Sequence, residues 1–212
     1  AWGMKCGRDY GSKKVKVKKL TAYEPWKARE AAWRKTPGTD TEPLDVQAGS
    51  RPAPVRSSPR ARVGLLRSLG TYGMLPYWRT FLQTLGCDVV LSPRSSESIL
   101  AQGDEITTAE YCAPVVVSHG HARALLEDET VDYLFVPHLL REPVPPGFTD
   151  AHYCCYVQAH PGVLRSVKGL QTEGRLLAPV VQRNLSEAYQ VERLTDVLSG
   201  PLGVDAAQVR RA

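Results

Sequence analysis

The order of hydrophobic and polar positions divides the chain into strand-like and helix-like segments that alternate from residue 62 onward. Short apolar runs that predict buried strands lie at 62–66, 87–91, 131–137, 153–158 and 176–182. Segments with apolar residues at helical spacing lie at 77–85, 95–102, 114–126, 161–169 and 185–198. This alternation predicts an α/β fold with a doubly wound, mainly parallel, Rossmann-like sheet.

Prolines and glycines mark where these segments begin and end. Pro76, Pro114 and Pro161 suit the first turn of a helix, where the missing N–H costs nothing. Gly103 is predicted to stop the helix at 95–102, and the proline-rich stretch 138–152 is predicted to be a loop.

The first 60 residues differ in composition from the rest and predict separate segments. Residues 1–36 hold 11 Lys and Arg against 3 acids, whereas the remainder holds 16 against 19. We therefore expect a basic arm with a docking segment at 1–35, a flexible linker at 36–60 and an α/β domain at 61–212. The chain begins with Ala1 and ends in a helix-like stretch, so we expect an excerpt of a longer polypeptide.

Composition excludes several classes of function. The basic arm lacks aromatic residues at binding spacing, which does not favour nucleic acid as a partner. No window approaches eighteen apolar residues and no secretory signal is present, so we expect a cytoplasmic protein that does not span a membrane. Neither GxxxxGKS/T nor a complete GxGxxG follows a strand, which argues against a bound dinucleotide or ATP.

The window 110–121 holds more potential chemistry than any other part of the chain. Cys112 precedes the predicted helix that begins at Pro114, and the positive end of the helix dipole would stabilise its thiolate. A small apolar cysteine packed at a helix start is the alternative. His119 and His121 are too far apart around a helix to ligate one ion together, and Ser118 cannot form a relay with either of them. We expect one histidine to face the Cys112 loop and the other to face solvent or a partner.

Five cysteines are present, at positions 6, 87, 112, 154 and 155. They form no CxxC pair and no zinc-finger spacing, and their odd number argues against a disulfide framework. Three thiolates on separate loops can hold a 4Fe–4S cluster with one iron open, and Cys6, Cys112 and Cys154 could supply that set. Cys87 is assigned to the core, and Cys155 is the spare ligand, facing away from Cys154 on a strand. A zinc site with one histidine is a further alternative.

The fold prediction brings these residues to one edge. In parallel sheets, ligands bind beyond the carboxyl ends of the strands, in loops that lead to helices. Tyr72, Cys112 and Cys154 each precede a helix that begins at a proline. We therefore predict that they share that edge.

Several blocks together resemble a known family over residues 62–163. The blocks are 63–69 with Tyr72, 76–78 with Phe81, 85–92, Cys112-Ala113-Pro114 with His119-Gly120-His121, 132–137 and 153–158. They are similar to a domain of unknown function that occurs in large fusions with activators and subunits of 2-hydroxyacyl-CoA dehydratases and benzoyl-CoA reductases. The chain departs from the family pattern at Leu66 and Cys155, where proline is usual, and at Val117, where a lysine-like residue is usual.

The resemblance implies a function within an acyl-CoA dehydratase or reductase activase system. It implies an iron–sulfur domain that receives or relays an electron from an ATP-dependent activase, with dehydratase or reductase subunits as partners. Residues 4–10 resemble the segment before the domain in the large fusions, which implies Cys6 as the third ligand beside Cys112 and Cys154. His119 or His121 would then hydrogen-bond a cluster sulfur or pass a proton, with Cys155 close by. A cofactor-free interaction module of the same large protein is the alternative.

Overall fold

A computed structural model of the chain describes residues 60–212 and the short strand Leu44–Asp45. The strands are β1 Leu44–Asp45, β2 Arg62–Leu65, β3 Asp88–Leu91, β4 Tyr133–Phe135, β5 His138–Arg141, β6 Leu176–Leu177 and β7 Val180–Gln182. The helices are α1 Leu69–Gly73, α2 Leu75–Thr84, α3 Glu97–Ile106, α4 Ala113–Leu126, α5 Cys155–Gln158, α6 His160–Ser166, α7 Glu187–Leu202 and α8 Ala206–Arg211.

The strands form two parallel sheets. The larger one has the order β1-β3-β2-β4-β6, and β5 pairs with β7 in the smaller one. Strand β1 lies within the segment 36–60 that is predicted to be a linker, and it pairs with Val90 and Leu91. The predicted arm at 1–35 and the rest of the linker lie outside the described residues. The predicted α/β fold with a mainly parallel sheet is confirmed.

Helices cover both faces of the larger sheet. Leu134 and Phe135 are neighbours on β4 and therefore point to opposite faces. Leu134 packs in a buried cluster with Leu125 of α4, whereas the Phe135 ring lies 4.9 Å from the Trp78 ring of α2. Along the part of the chain that the structure describes, no helix combines the length and apolar character needed to cross a bilayer.

The connections between strands determine what lies at the carboxyl edge of the sheet. Helix α2 leads into β3, α4 leads into β4, and α6 leads toward β6. A helix that returns the chain to a parallel strand begins near the carboxyl ends of the strands. The segments before α2, α4 and α6 therefore reach the same edge, as the sequence predicts.

The strand predicted at 153–158 is wrong. Residues Cys155–Gln158 form one helical turn, in which the amides of Val157 and Gln158 donate to the carbonyl of Cys154. Periodicity cannot separate a strand from a helical turn over so short a run. The expectation that Cys154 and Cys155 point to opposite sides of a strand fails with it.

Two further predictions are corrected in the second half of the chain. The strand predicted at 176–182 is interrupted by Pro179, and its two parts, β6 and β7, belong to different sheets. Proline has no N–H for a ladder, which explains the break. The predicted loop at 138–152 begins with β5, because His138 and Leu139 pair with β7.

Helices α3 and α4 cross with their backbones in direct contact. A Cβ added to Gly120 would lie 2.0 Å from the carbonyl oxygen of Ile99, and one added to Gly103 would lie 2.0 Å from that of Val116. The sequence predicts that Gly103 stops the helix, but this is wrong. Gly103 lies inside α3 and permits the backbone contact. Gly120 permits the same approach from the side of α4.

The two histidines beside Gly120 hold α3 from both ends. The Nδ1 of His119 lies 2.8 Å from Oγ1 of Thr107, which follows the last turn of α3. The Nε2 of His121 lies 2.9 Å from Oγ of Ser95, just before α3. Both side chains are fully buried, so the expectation that one of them faces solvent is wrong. The crossing of the two helices buries both imidazole rings.

A third buried histidine joins α4 to α6. The Nε2 of His160 lies 3.0 Å from Oγ of Ser118. Burial lowers the pKa of His160 to about 3 and, together with the nearby Arg67, that of His121 to about 4. The helix layer therefore depends on imidazoles that stay neutral.

The glycine contact predicts a large penalty for one methyl group. Gly120→Ala should lower the free energy of unfolding by about 2 kcal/mol or more, because overpacking outweighs the roughly 1 kcal/mol that alanine gains in helix propensity. Gly162→Ala is the matched control, since a Cβ there meets no atom within 4 Å. Urea unfolding followed by circular dichroism measures both variants. Equal stability of the two would show that the crossing is not tight.

The buried histidines predict a loss of stability in acid. Above pH 6.5 they are neutral in both the folded and the unfolded chain, so they add no pH dependence. Below that pH the unfolded chain takes up protons that the folded chain refuses, which lowers the free energy of unfolding by about 1.4 kcal/mol per pH unit for each histidine. Urea unfolding between pH 6.5 and 5 should show this slope for His121 and His160, and a His121→Asn/His160→Asn double variant should show a flatter one. An unchanged slope in the variant would contradict the prediction.

Candidate functional site

Three chain segments meet where the strands end. The hydroxyl of Tyr153 lies 4.0 Å from Sδ of Met74, and the rings of Tyr111 and Tyr156 lie edge to face at 5.6 Å. A Cβ added to Gly70 would lie 2.9 Å from Cγ1 of Val157. The segments that carry Tyr72, Cys112 and Cys154 therefore approach one another at this edge, which we call the thiol edge.

The thiols in the described residues fall into two kinds. Cys112, Cys154 and Cys155 are free and exposed, whereas Cys87 is buried. Burial and the neighbouring Asp88 raise the pKa of Cys87 to about 11, so it stays a protonated core residue, as the sequence predicts. The exposed thiols are the ones that a soft metal could reach.

Two of these cysteines begin helices. Cys112 is the N-cap of α4, and its carbonyl accepts from the amides of Val115 and Val116 at 2.9 and 3.2 Å. Cys112 therefore lies at the amino end of a 14-residue helix. Cys154 is the N-cap of the short helix α5, and Cys155 is its first residue.

The donor chemistry suits a metal cluster, but the described residues do not complete a site. Thiolates are the usual ligands of iron–sulfur clusters, and the thiol edge carries Cys112, Cys154 and Cys155. Cys6 lies outside the described residues. Within residues 60–212, no three metal-binding side chains are arranged to hold an ion. The ligand set Cys6, Cys112 and Cys154 stays a prediction.

Hydrogen bonds determine which nitrogen of the His119 ring carries the proton. The hydroxyl of Thr107 donates its hydrogen to the carbonyl of Gly103 at 2.6 Å. That hydroxyl can then only accept from His119, so Nδ1 carries the proton and Nε2 is a bare acceptor. Burial lowers the pKa of His119, which keeps the ring neutral. A neutral His119 in this state cannot donate a hydrogen bond to a cluster sulfur.

The buried Ser118–His160 pair is not a nucleophilic relay. Ser118 donates its hydroxyl hydrogen to the carbonyl of Val115 at 2.6 Å, so the nitrogen of His160 donates to the serine oxygen. A relay needs the opposite direction, in which the histidine accepts the serine proton. Both side chains are also buried. The pair connects α4 to α6, and nothing in the sequence links two residues so far apart.

A charged network supports the segment before Cys154. Glu142 accepts from the hydroxyl of Tyr153 at 2.5 Å and pairs with Arg183 at 3.1 Å. Burial and the bond to Glu142 raise the pKa of Tyr153 to about 12, so the phenol stays protonated. Arg183 also lines a cleft of about 210 Å³ between α2 and α7, together with Tyr77, Trp78 and Leu185. The sequence does not predict this network because Glu142 follows β5, Arg183 follows β7 and Tyr153 lies in the loop before α5.

Comparison with known proteins identifies the family. The searches of curated proteins and of solved structures returned no match. A family model described as the CoA enzyme activase uncharacterised domain matches residues 62–212, which include strands β2 to β7, the α3–α4 crossing and the thiol edge. The match covers more than half of the chain and agrees with the family resemblance of the sequence blocks. The chain therefore belongs to the family of the CoA enzyme activase uncharacterised domain.

Proposed function

We propose that this chain is an iron–sulfur domain of a CoA enzyme activase system, with its cluster bound at the thiol edge. The observation that supports it is the approach of the Cys112 and Cys154 loops, joined by the ring contact between Tyr111 and Tyr156. Both cysteines are exposed, and both begin helices at the carboxyl ends of the strands, where α/β folds place their ligands. In this proposal Cys6 supplies the third thiolate.

The cluster, when bound, supplies one-electron chemistry at low potential. The residues of the chain would determine where it sits and how much water reaches it. Cys112 begins α4, and Tyr111 and Tyr156 place aromatic rings beside the two cysteine loops. Because the reduction potential of a cluster depends on its exposure to water, these rings would change the reduction potential by excluding water. The activase that delivers the electron and the acyl-CoA dehydratase or reductase that receives it are the proposed partners.

A cofactor-free interaction module of the same large protein is the second candidate. Its support is the segment after β5, where Val144 and Phe148 leave 43% and 69% of their surface exposed. Two exposed apolar side chains four residues apart in the sequence suit a protein partner. In this alternative the cysteines contribute no metal ligands.

Iron uptake tests the first proposal. Anaerobic reconstitution of the full chain with iron and sulfide should give bound iron and a broad visible absorption, and Cys112→Ser should reduce the iron content severalfold because a thiolate ligand is lost. Cys87→Ala is the matched control, since that thiol is buried and protonated. A wild-type chain that takes up no iron would exclude the proposal.

The same variant separates the two candidates. If the chain relays electrons, Cys112→Ser should abolish activity of the reconstituted activase system while circular dichroism and co-purification with the partners stay unchanged. A variant with full activity would favour the interaction module. Double replacement of Val144 and Phe148 by serine then tests that module directly, because it should weaken co-purification and leave bound iron unchanged.

A further inference from the structure

The segment after β5 displays an aromatic side chain on a hydrogen-bonded turn. The amide of Phe148 donates to the carbonyl of Pro145 at 3.1 Å, and Gly147 has the positive φ, 85°, that such a turn needs at its third position. Residues 143–150, which we call the Phe148 turn, are all exposed, and Phe148 leaves 69% of its surface exposed. The turn therefore presents Phe148 to solvent in a defined conformation.

The cleft between α2 and α7 has the complementary character. Its buried lining is apolar, because Trp78, Val181 and Leu194 each leave no more than 5% of their surface exposed. Its exposed lining includes Tyr77 and Leu185. The volume of about 210 Å³ is below the roughly 300–1,000 Å³ of clefts that hold drug-sized ligands. The cleft therefore suits a single large apolar side chain.

The Phe148 turn and the cleft lie side by side. Strands β5 and β7 are parallel neighbours, so the chain leaves both strands at the same edge. Glu142, which leads into the turn, pairs at 3.1 Å with Arg183, which lines the cleft. Phe148 does not line the cleft of its own chain. The two features therefore face outward together without filling each other.

Exposed apolar side chains concentrate at these two features. Tyr77 and Leu185 leave 51% and 42% of their surface exposed at the cleft, and Val144 accompanies Phe148 on the turn. Elsewhere in residues 60–212, Leu100 is the one large apolar side chain that is exposed. A contact between the turn and a cleft would cover both groups at once, which favours an occupant that carries the turn itself.

We propose that the chain associates with a second copy of itself, with Phe148 of each copy inserted in the cleft of the other. Because the turn and the cleft are neighbours, two copies related by a two-fold axis can exchange these contacts reciprocally. The Phe148 ring would then pack against Trp78 and Tyr77, and aromatic side chains in such pockets are common anchors of interfaces. The inference does not depend on the proposed cluster, and it names the partner that covers Val144 and Phe148.

Sedimentation of the full chain over a series of concentrations measures the association. Reducing buffer prevents the exposed cysteines from cross-linking copies. The wild type should form dimers, whereas Phe148→Ser and Leu185→Glu should each raise the dimer Kd at least tenfold, because one removes the anchor and the other places a charge in the contact. Leu100→Ser is the matched control, since Leu100 is exposed on α3 and belongs to neither feature. Circular dichroism verifies that the variants fold.

Mixing the two variants tests the contact itself. Phe148→Ser keeps an intact cleft and Leu185→Glu keeps an intact turn, so a mixed dimer retains one of the two contacts. An equimolar mixture should therefore form dimers at concentrations where neither variant does alone. No recovery in the mixture, an unchanged Kd in either variant, or a wild type that stays monomeric up to about 1 mM would overturn the inference.

Iron content separates this inference from the proposed function. Both variants should take up as much iron as the wild type in anaerobic reconstitution, because neither change lies at the thiol edge. A chain that forms dimers through Phe148 but takes up no iron would refute the cluster and keep the self-association. A monomeric wild type whose Phe148→Ser variant loses co-purification with the activase partners would instead assign the turn to another protein, and the self-association would be refuted.

Discussion

The contact between α3 and α4 is the constraint on which the rest of the structure depends. Two glycines let the helix backbones touch, and at such a distance no side chain fits between the carbonyl oxygens and the facing Cα atoms. The contact therefore fixes the position of one helix relative to the other. It also buries the neighbouring side chains of α4, so His119 and His121 find partners just beyond the two ends of α3 rather than in water.

That constraint fixes the position of the thiol edge. Helix α4 packs Leu125 against the sheet at its far end, and the crossing with α3 holds its middle. Its first turn, with Cys112 as N-cap, therefore projects from a rigid support. The Cys154 loop is held on the opposite side by Glu142, which binds Tyr153, and by the His138 ring, which donates to the carbonyl of Gln158 at 2.8 Å. Exposed thiols on supported loops suit ligation better than thiols on unsupported ones.

The sequence predicts those parts of the fold that local rules determine. Pro114 and helical spacing place α4 within one residue of its observed start, and alternation of strands and helices is enough to predict the parallel sheet. Local rules fail where tertiary contacts decide. Gly103 suggests the end of a helix until the partner helix is known, and residues 153–158 are too few for periodicity to separate a turn of helix from a strand.

The candidate site also divides into a predictable and an unpredictable part. The cysteine loops are predictable because helices begin after them, whereas the hydrogen bonds of Thr107, Ser95 and Ser118 join segments that are distant in the sequence.

The buried ring of His119 carries one cost. A buried acceptor that finds no donor lowers folding stability by about 1–3 kcal/mol. The Thr107 contact explains the anchored nitrogen, because Thr107 follows the last turn of α3, whereas no residue in the described part of the chain donates to Nε2. The helix contact that buries the imidazole therefore gains stability through one ring nitrogen and loses some of it at the other.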